Sequence, residues 1–221
     1  MVNVVITGAN RGIGLELVRC FAKKGKVYGL CRKASEALIS TENVTIVEGV
    51  DLKSEAAIHK AMQKCPDRID ILICCAGIFR RSGSAVNEVT ADSVQEQFLV
   101  NAVAPLMVVQ SALAKLGKGA KVALISSRMG SIGDNSSGGY YGYRMSKAAL
   151  NAMGASLAID FKTREVAVGV FHPGFVQTEM TGGAGQYKPH ESAEMLEKRI
   201  DDLTLSTSGE FRHAQGDLLP W

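Results

Sequence analysis

The sequence lacks both a run of like charges and a long uninterrupted apolar stretch. It carries 25 Lys and Arg residues against 22 Asp and Glu residues, a net charge of +3, and its basic residues are scattered. So small an excess gives no footprint for a nucleic-acid backbone. No apolar run approaches the roughly 18–20 residues that a membrane span needs. We therefore expect neither a nucleic acid nor a membrane as a partner.

Cysteine is scarce and unpatterned. The five cysteines are odd in number and no pair has metal-site spacing: Cys20, Cys31, Cys65, Cys74 and Cys75. This usage suits a reducing compartment and small buried side chains rather than disulfides or a metal centre. The first residues also lack a basic leader, so we expect a cytoplasmic protein without a metal.

Short apolar runs alternate with helical stretches along all 221 residues. The runs are nearly continuous in Val, Ile, Leu and Cys, as is typical of parallel strands buried on both faces. Strands are predicted over 2–7, 26–31, 44–47, 69–74, 121–126, 166–171 and 210–213, and helices over 12–24, 54–64, 91–115, 140–162 and 193–205. The alternation predicts an α/β fold, a doubly wound Rossmann-type parallel sheet of about seven strands with helices on both faces. With no evident linker, residues 1–221 are expected to form one domain.

A glycine-rich turn follows the first strand and opens the first helix. Its sequence is Thr7-Gly8-Ala9-Asn10-Arg11-Gly12-Ile13-Gly14. Glycines permit a tight turn and the close approach of a diphosphate, and the helix start offers free N–H groups. A turn without a ligand would share this composition, but its place after the first strand favours dinucleotide binding.

The end of the second strand indicates which dinucleotide. A site selective for NAD usually has an acidic residue there, which holds the ribose hydroxyls and repels a 2′-phosphate. Here Arg32 and Lys33 follow Cys31, with no acid. Arg32 and Arg11 could both approach a 2′-phosphate and bind it through charge-assisted hydrogen bonds. The sequence therefore predicts NADP(H), although Arg32 and Lys33 could also be surface residues that open a loop.

Tyr143 and Lys147 are four residues apart in a predicted helix and therefore share a face. The same spacing pairs Tyr140 with Arg144 and Tyr141 with Met145, so only Tyr143 faces a lysine. A nearby ammonium favours the phenolate and is expected to lower the tyrosine pKa by roughly 1–3 units. Proton transfer to a reacting oxygen would then be efficient. Tyr and Lys at this spacing also occur by chance at the solvated edge of a helix.

Together, the early Thr-Gly-x-x-x-Gly-x-Gly and the later Tyr-x-x-x-Lys resemble the short-chain dehydrogenase/reductase family over the whole chain. Within the family, residues 126–132 and 218–221 are similar to the sniffer and C-factor-like carbonyl reductase subgroup. The resemblance implies an oxidoreductase that uses NADPH to reduce a small-molecule aldehyde or ketone. It also implies a homodimer or homotetramer that pairs through helices 91–115 and 140–162.

The resemblance assigns site residues by position. The expected cofactor-binding residues are Gly8, Asn10, Arg11, Gly12, Ile13, Gly14, Arg32, Asp51, Leu52, Cys75, Ala76, Gly77, Asn101, Tyr143, Lys147, Pro173, Gly174, Val176 and Thr178. The expected catalytic residues are Asn101, Ser127, Tyr143 and Lys147. Tyr143 would deliver the proton, and Ser127 would donate a hydrogen bond to the carbonyl oxygen. Lys147 would lower the pKa of the tyrosine and bind the ribose hydroxyls of the cofactor, and Asn101 would hold a water.

Two departures from the family pattern stand out. Cys74 and Cys75 occupy positions where the family usually has asparagines, which puts the local rigidity in doubt; the thiols are expected to pack rather than to sense redox state. The stretch from Ser127 to Tyr143 is also longer than usual, and its extra residues, 133–139, are expected to form a loop beside the site. Ser126 competes with Ser127 for the catalytic role.

Two other functions are compatible with parts of this pattern. A nucleotide-sugar epimerase or dehydratase shares Tyr-x-x-x-Lys, but too few residues follow Pro173 for its usual substrate domain. A regulatory or signalling protein that binds NADP(H) and turns over weakly would keep the cradle, but it would have no need of the complete catalytic set. Residues 179–191 are expected to form a short substrate-binding lid.

Overall fold

The computed structural model describes residues 1–81 and 85–221 and contains one parallel sheet. Its strands are β1 (Val2–Thr7), β2 (Gly25–Leu30), β3 (Val44–Val47), β4 (Ile69–Cys74), β5 (Leu116–Ile125), β6 (Ala167–His172) and β7 (Phe211–His213). Their order is β3-β2-β1-β4-β5-β6-β7, and every pairing is parallel. The predicted doubly wound α/β fold is confirmed.

Helices connect the strands. They are α1 (Gly12–Ala22), α2 (Glu36–Ile39), α3 (Glu55–Gln63), α4 (Ala91–Phe98), α5 (Ala104–Ala112), α6 (Tyr141–Asp160) and α7 (Pro189–Asp201). A π-helical turn, Leu99–Val103, joins α4 to α5. Short 3-10 turns include Arg128–Gly130 after β5 and Glu179–Thr181 before α7.

Successive strand residues face opposite sides of the sheet, which gives the protein two hydrophobic cores. In β1, Val4 and Ile6 belong to the core beneath α1 and α7, whereas Val5 belongs to the core beneath α3, α5 and α6. All three side chains are fully buried. A strand buried on both faces is what the continuous apolar runs predicted.

Two predicted elements begin at the wrong residue. Strand β5 begins at Leu116 rather than at residue 121, because its exposed first half contains glycine and lysine and does not read as apolar. Helix α7 begins at Pro189 rather than at residue 193. Proline is well suited to the first helical position, and the Glu191 carboxylate accepts a 2.6 Å hydrogen bond from the Lys188 amide. The proposed lid segment therefore runs into α7 at its end.

One helical segment is more apolar over its length than the sequence analysis expected. Among the described residues, Ala91–Lys115 is long and apolar enough to cross a bilayer by length and composition alone. Half of its most apolar window is buried within the protein. Val108, Val109 and Ala112 lie in the core beneath the sheet, as expected for a core helix.

Candidate active site at the carboxyl ends of the strands

The site lies where the strand order changes direction. Strand β1 has β2 on one side and β4 on the other, so the chain leaves the sheet in opposite directions at this point. Ligands of doubly wound sheets bind in the crevice that such a switch opens at the carboxyl ends of the strands. Thr7, Cys74, Ile125 and His172 end β1, β4, β5 and β6, which are neighbours in the sheet.

The glycine-rich turn after β1 forms a cradle that side chains would fill. Gly8 has a φ of +73°, and a Cβ there would lie 2.8 Å from the Cα of Ala76. A Cβ at Gly14 would collide with the carbonyl oxygen of Gly8. No side chain in the described part of the chain caps α1, whose first turn therefore presents N–H groups and the positive end of the helix dipole. These features fit the diphosphate of a dinucleotide.

The cradle is tied to the end of β4 through Thr7. Its hydroxyl oxygen accepts hydrogen bonds from the backbone amides of Cys75 (3.2 Å) and Ala76 (3.3 Å). These two hydrogen bonds connect the backbone after Cys74 to the end of β1. Burial raises the pKa of both Cys74 and Cys75 to about 12. The two thiols are therefore protonated at neutral pH and poorly reactive, as expected of packing residues.

The segment after β6 reaches across to the cradle. Arg11 forms an ion pair with Glu179, and both side chains are well exposed. A Cβ at Gly12 would touch the Thr178 methyl group at 3.6 Å. Arg11, expected at a 2′-phosphate, is thus held by a carboxylate from the lid segment. Sequence reasoning gave no signal for this contact between residues so distant in the chain.

The same segment is held in place by backbone contacts of its own. Gly174 has a φ of +87°, and a Cβ there would lie 2.8 Å from the Tyr187 ring. Val176 is buried and forms an isolated β-bridge with Tyr187. The carbonyl of Pro173 accepts a 2.7 Å hydrogen bond from Ser192 in α7. Pro173, Gly174 and Val176, three of the four predicted cofactor-binding residues in this segment, are thus each held by a contact with residues 187–192.

The expected adenosine end of the cleft is more open. Arg32 is exposed just beyond β2. The Asp51 carboxylate accepts a 3.0 Å hydrogen bond from the amide of Lys53, and Leu52 packs against the core. Sequence reasoning found no acid at the end of β2, but β3 is followed by one. The Glu48 carboxylate accepts a 2.5 Å hydrogen bond from the amide of Ala34, two residues after Arg32.

Helix α6 brings Tyr143 and Lys147 to the end of β5. Both residues are buried, and the lysine Nζ lies 5.9 Å from the centre of the tyrosine ring. That Nζ donates a 2.9 Å hydrogen bond to the carbonyl of Ile125, the last residue of β5. A Cβ at Gly130 would lie 2.7 Å from the Lys147 backbone, so the turn after β5 packs tightly on α6.

The expected lowering of the Tyr143 pKa is wrong for this structure. Burial raises the pKa of Tyr143 to about 12, and only the nearby Ser127 side chain acts to lower it. Burial also lowers the pKa of Lys147 to about 8. Desolvation outweighs the pairing that the helical spacing suggested. Tyr143 is therefore a protonated phenol at neutral pH, as a proton donor must be.

Asn101 lies in the π-helical turn, a feature that is frequent at functional sites. Its side chain is fully buried and accepts a 2.8 Å hydrogen bond from the amide of Ile78. It donates to the Ile78 carbonyl (2.9 Å) and to the Ser146 hydroxyl (3.0 Å). A Cβ at Gly77 would lie 3.2 Å from the Asn101 Oδ1 and 3.7 Å from the Lys147 Nζ. Asn101 thus fixes the strand-end loop directly beside Lys147.

The two candidate serines have different environments. The Ser126 hydroxyl donates to Oδ1 of Asn151 in α6. The Ser127 hydroxyl accepts a 3.1 Å hydrogen bond from the amide of Met129 and lies near enough to the Tyr143 hydroxyl to lower its pKa. The geometry therefore brings Ser127, not Ser126, together with the tyrosine.

The serine pair gives a matched experiment. Ser127→Ala is expected to lower kcat/KM for carbonyl reduction by roughly 10²–10³-fold, because one donor to the developing oxyanion is lost. Ser126→Ala is expected to keep near-normal turnover and to lose about 1 kcal/mol of unfolding free energy, because it removes a buried hydrogen bond. Steady-state kinetics and thermal unfolding of both variants test this assignment. Equal losses of kcat/KM in the two variants would contradict the choice of Ser127 over Ser126.

Comparison with known proteins decides the family. A family model described as short chain dehydrogenase matches residues 2–189. The chain belongs to this family. The seven-stranded sheet and the joined Ser127, Tyr143 and Lys147 agree with that membership.

Individual known proteins also resemble this chain over most or all of its length. A 1-hydroxy-2-glutathionyl-2-methyl-3-butene dehydrogenase from Rhodococcus sp. strain AD45 is 32% identical, with 100% of both chains covered. C-signal from Myxococcus xanthus is 38% identical over 73% of this chain and 98% of its own. The carbonyl reductase Sniffer of D. melanogaster has a TM-score of 0.91 at 28% identity, with 100% of both chains covered.

In this short-chain dehydrogenase, three residues lie at the site that the sequence analysis did not predict as site residues. Phe79 packs edge-on against Tyr143, with ring centres 4.9 Å apart. Tyr140 packs against Phe79 at 5.4 Å. Arg144 lies between the tyrosine and lysine of the motif and binds the preceding loop through its guanidinium. The two glycines before Tyr140 were the available signal of an unusual backbone there.

Proposed function

We propose that this short-chain dehydrogenase is an NADPH-dependent reductase of aldehydes and ketones, with Tyr143 as the proton donor. The observation that carries the proposal is the buried Tyr143, which has the Ser127 side chain near its hydroxyl and Lys147 close by, at the mouth of a dinucleotide cradle. The high pKa of Tyr143 supports this direction, because the phenol is protonated at neutral pH and an alkoxide is more basic than a phenolate.

The cradle is well suited to NADP(H). Gly8, Gly12 and Gly14 leave room for a diphosphate at the start of α1, and Arg32 is exposed where a 2′-phosphate would lie. When bound, NADPH supplies the hydride. Two structural relatives support the choice: a carbonyl reductase from chicken fatty liver with NADPH bound (TM-score 0.90, 27% identity, covering 99% of this chain and 98% of its own) and a Burkholderia multivorans protein with bound NADP (0.89, 26%, 100% and 99%).

Each residue of the candidate site would then have its own role in the reduction. Ser127 donates a hydrogen bond to the carbonyl oxygen, and Tyr143 transfers its proton to the oxygen as negative charge develops there. Lys147, held by the Ile125 carbonyl, places a positive charge beside the phenol and offers donors to ribose hydroxyls. Asn101 holds the loop at Ile78 that borders Lys147. A water held by Asn101 stays a proposal.

Cofactor choice and reduction can be tested together. The purified protein is given a panel of quinones, diketones and aldehydes with NADPH or NADH, and the loss of reduced nicotinamide is followed. We expect turnover of some panel compounds with a preference for NADPH. Arg32→Ala is expected to raise KM for NADPH by about ten-fold or more and to leave KM for NADH nearly unchanged, because a charge-assisted hydrogen bond is worth roughly 1.5–3 kcal/mol.

Arg19→Ala, which removes an exposed guanidinium from α1 paired with Glu16, is the control for general loss of charge. A wild type that clearly prefers NADH would contradict the assignment of Arg32. Equal effects of Arg32→Ala on the two cofactors would contradict it as well.

A second candidate, an NADP(H)-binding signalling protein with weak turnover, has one observation in its favour. The Myxococcus relative is named C-signal and is 38% identical to this chain. The complete site of Asn101, Ser127, Tyr143 and Lys147 favours the enzyme, because a binding role alone does not need a proton donor.

A further inference from the structure

Arg144 holds the loop that precedes α6. Its Nε donates to the carbonyls of Gly138 (3.2 Å) and Gly139 (3.1 Å), and its Nη2 donates to the Ser137 hydroxyl (2.8 Å). Its Nη1 donates to the carbonyl of Met129 (3.3 Å) in the turn after β5. Within residues 1–81 and 85–221, no carboxylate forms a salt bridge with this guanidinium. The hydrogen bonds of the Arg144 side chain therefore go to the loop before α6 and to the turn after β5.

The loop needs such a support because its backbone is unusual. Gly138, Gly139 and Tyr140 have φ values of +62°, +66° and +51°, three left-handed residues in succession. Tyrosine rarely adopts this conformation, since its Cβ approaches the backbone. Strained conformations persist only where the surrounding structure determines them. Arg144 provides that structure by binding the two glycine carbonyls just before the tyrosine.

The conformation of Tyr140 matters to the reaction centre because aromatic rings connect them. The Tyr140 ring lies 5.4 Å from the Phe79 ring, which meets the Tyr143 ring edge-on at 4.9 Å. Phe79 is half-buried, and Tyr140 keeps 38% of its surface exposed. A molecule approaching Tyr143 from this side would meet the two outer rings first.

We propose that Arg144 is a positioning residue for substrate binding. It fixes residues 138–140 so that Tyr140 and Phe79 form an aromatic wall beside Tyr143, suited to carbonyl compounds that carry a flat apolar group. The hydrogen bonds of Arg144 go to Met129 and to residues 137–139 rather than to the reaction centre, so it acts through the loop. This inference rests on the proposed carbonyl reduction and adds the residue that shapes the substrate side of the site.

Kinetics of three variants test the proposal. Arg144→Gln is expected to raise KM for aryl aldehydes and quinones by about ten-fold, with a smaller change for small aliphatic aldehydes and with kcat and the Kd of NADPH nearly unchanged. Arg144→Lys is expected to recover part of the effect. Arg164→Gln is the matched control, because this guanidinium also binds two backbone carbonyls, those of Leu113 and Leu116, at the other end of α6.

Hydrogen exchange gives a readout that does not depend on turnover. Amides of residues 131–142 are expected to exchange faster in Arg144→Gln than in the wild type, and to be unchanged in Arg164→Gln. Unchanged exchange there, or a uniform loss of activity without a change in KM, would overturn the proposal. A wild type that binds NADPH and reduces nothing would instead overturn the proposed function, and with it the substrate role of Arg144.

Discussion

Tyr143→Phe is expected to lower kcat for carbonyl reduction by roughly 10²–10⁴-fold, the usual contribution of a positioned general acid. The substitution removes only the hydroxyl that Ser127 contacts, and the ring that packs against Phe79 stays in place. The Kd of NADPH should change little, because the cradle is built from other residues. Steady-state turnover and NADPH titration of one preparation measure both quantities.

Tyr141→Phe is the matched control for this experiment. It makes the same chemical change two residues earlier in α6, at a tyrosine that is 39% exposed. It should behave like the wild type. Near-normal turnover by Tyr143→Phe would show that Tyr143 is not the acid.

Lys147→Met should lower kcat/KM by roughly 10²-fold and should also change the pH profile. Burial lowers the pKa of Lys147 to about 8, so its ammonium is present below that pH and is lost above it. Wild-type reduction is therefore expected to decline above about pH 8. In Lys147→Met this decline should be absent, and activity should be low at every pH.

The lowered pKa of Lys147 also makes the free energy of unfolding depend on pH. Burial lowers the pKa of Lys147 in the folded protein to about 8, below its ordinary value of 10.5. Between about pH 8 and 10.5 the native protein therefore binds fewer protons than the unfolded chain, and its stability rises with pH. Below about pH 8, the buried ammonium destabilises the fold, so removing it in Lys147→Met offsets the loss of the hydrogen bond to Ile125.

Lys121→Met is the control, since this lysine also donates to backbone carbonyls, those of Ile200 and Asp201, far from the site. A similar kinetic loss in both variants would contradict the role of Lys147.

Local sequence patterns were enough to predict the fold and the segments that carry the candidate site. The apolar runs marked the buried strands, and glycine spacing marked the cradle at Gly8 and Gly14 because a side chain cannot fit there. Helical spacing selected Tyr143 over its neighbours, and both motif residues do lie on the buried face of α6. These features depend on residues close together in the chain.

Features that depend on distant residues could not be read in this way. Helical spacing suggested a lowered Tyr143 pKa, but the elements packed around the phenol raise it to about 12. The Arg11–Glu179 ion pair joins segments 168 residues apart. Phe79 meets Tyr143 from a loop whose Ile78 backbone is held by Asn101, 23 residues away. In each case tertiary packing, which local sequence does not encode, decides the outcome.

The most direct test of the central claim measures NADPH binding and NADPH consumption in the same sample of wild-type protein. One titration gives the Kd, and addition of the carbonyl panel then gives the rate at which NADPH is consumed. A catalytic site built on Ser127, Tyr143 and Lys147 predicts binding followed by stoichiometric conversion of carbonyl to alcohol. Tight binding with no consumption across the panel would contradict it and would favour a signalling role.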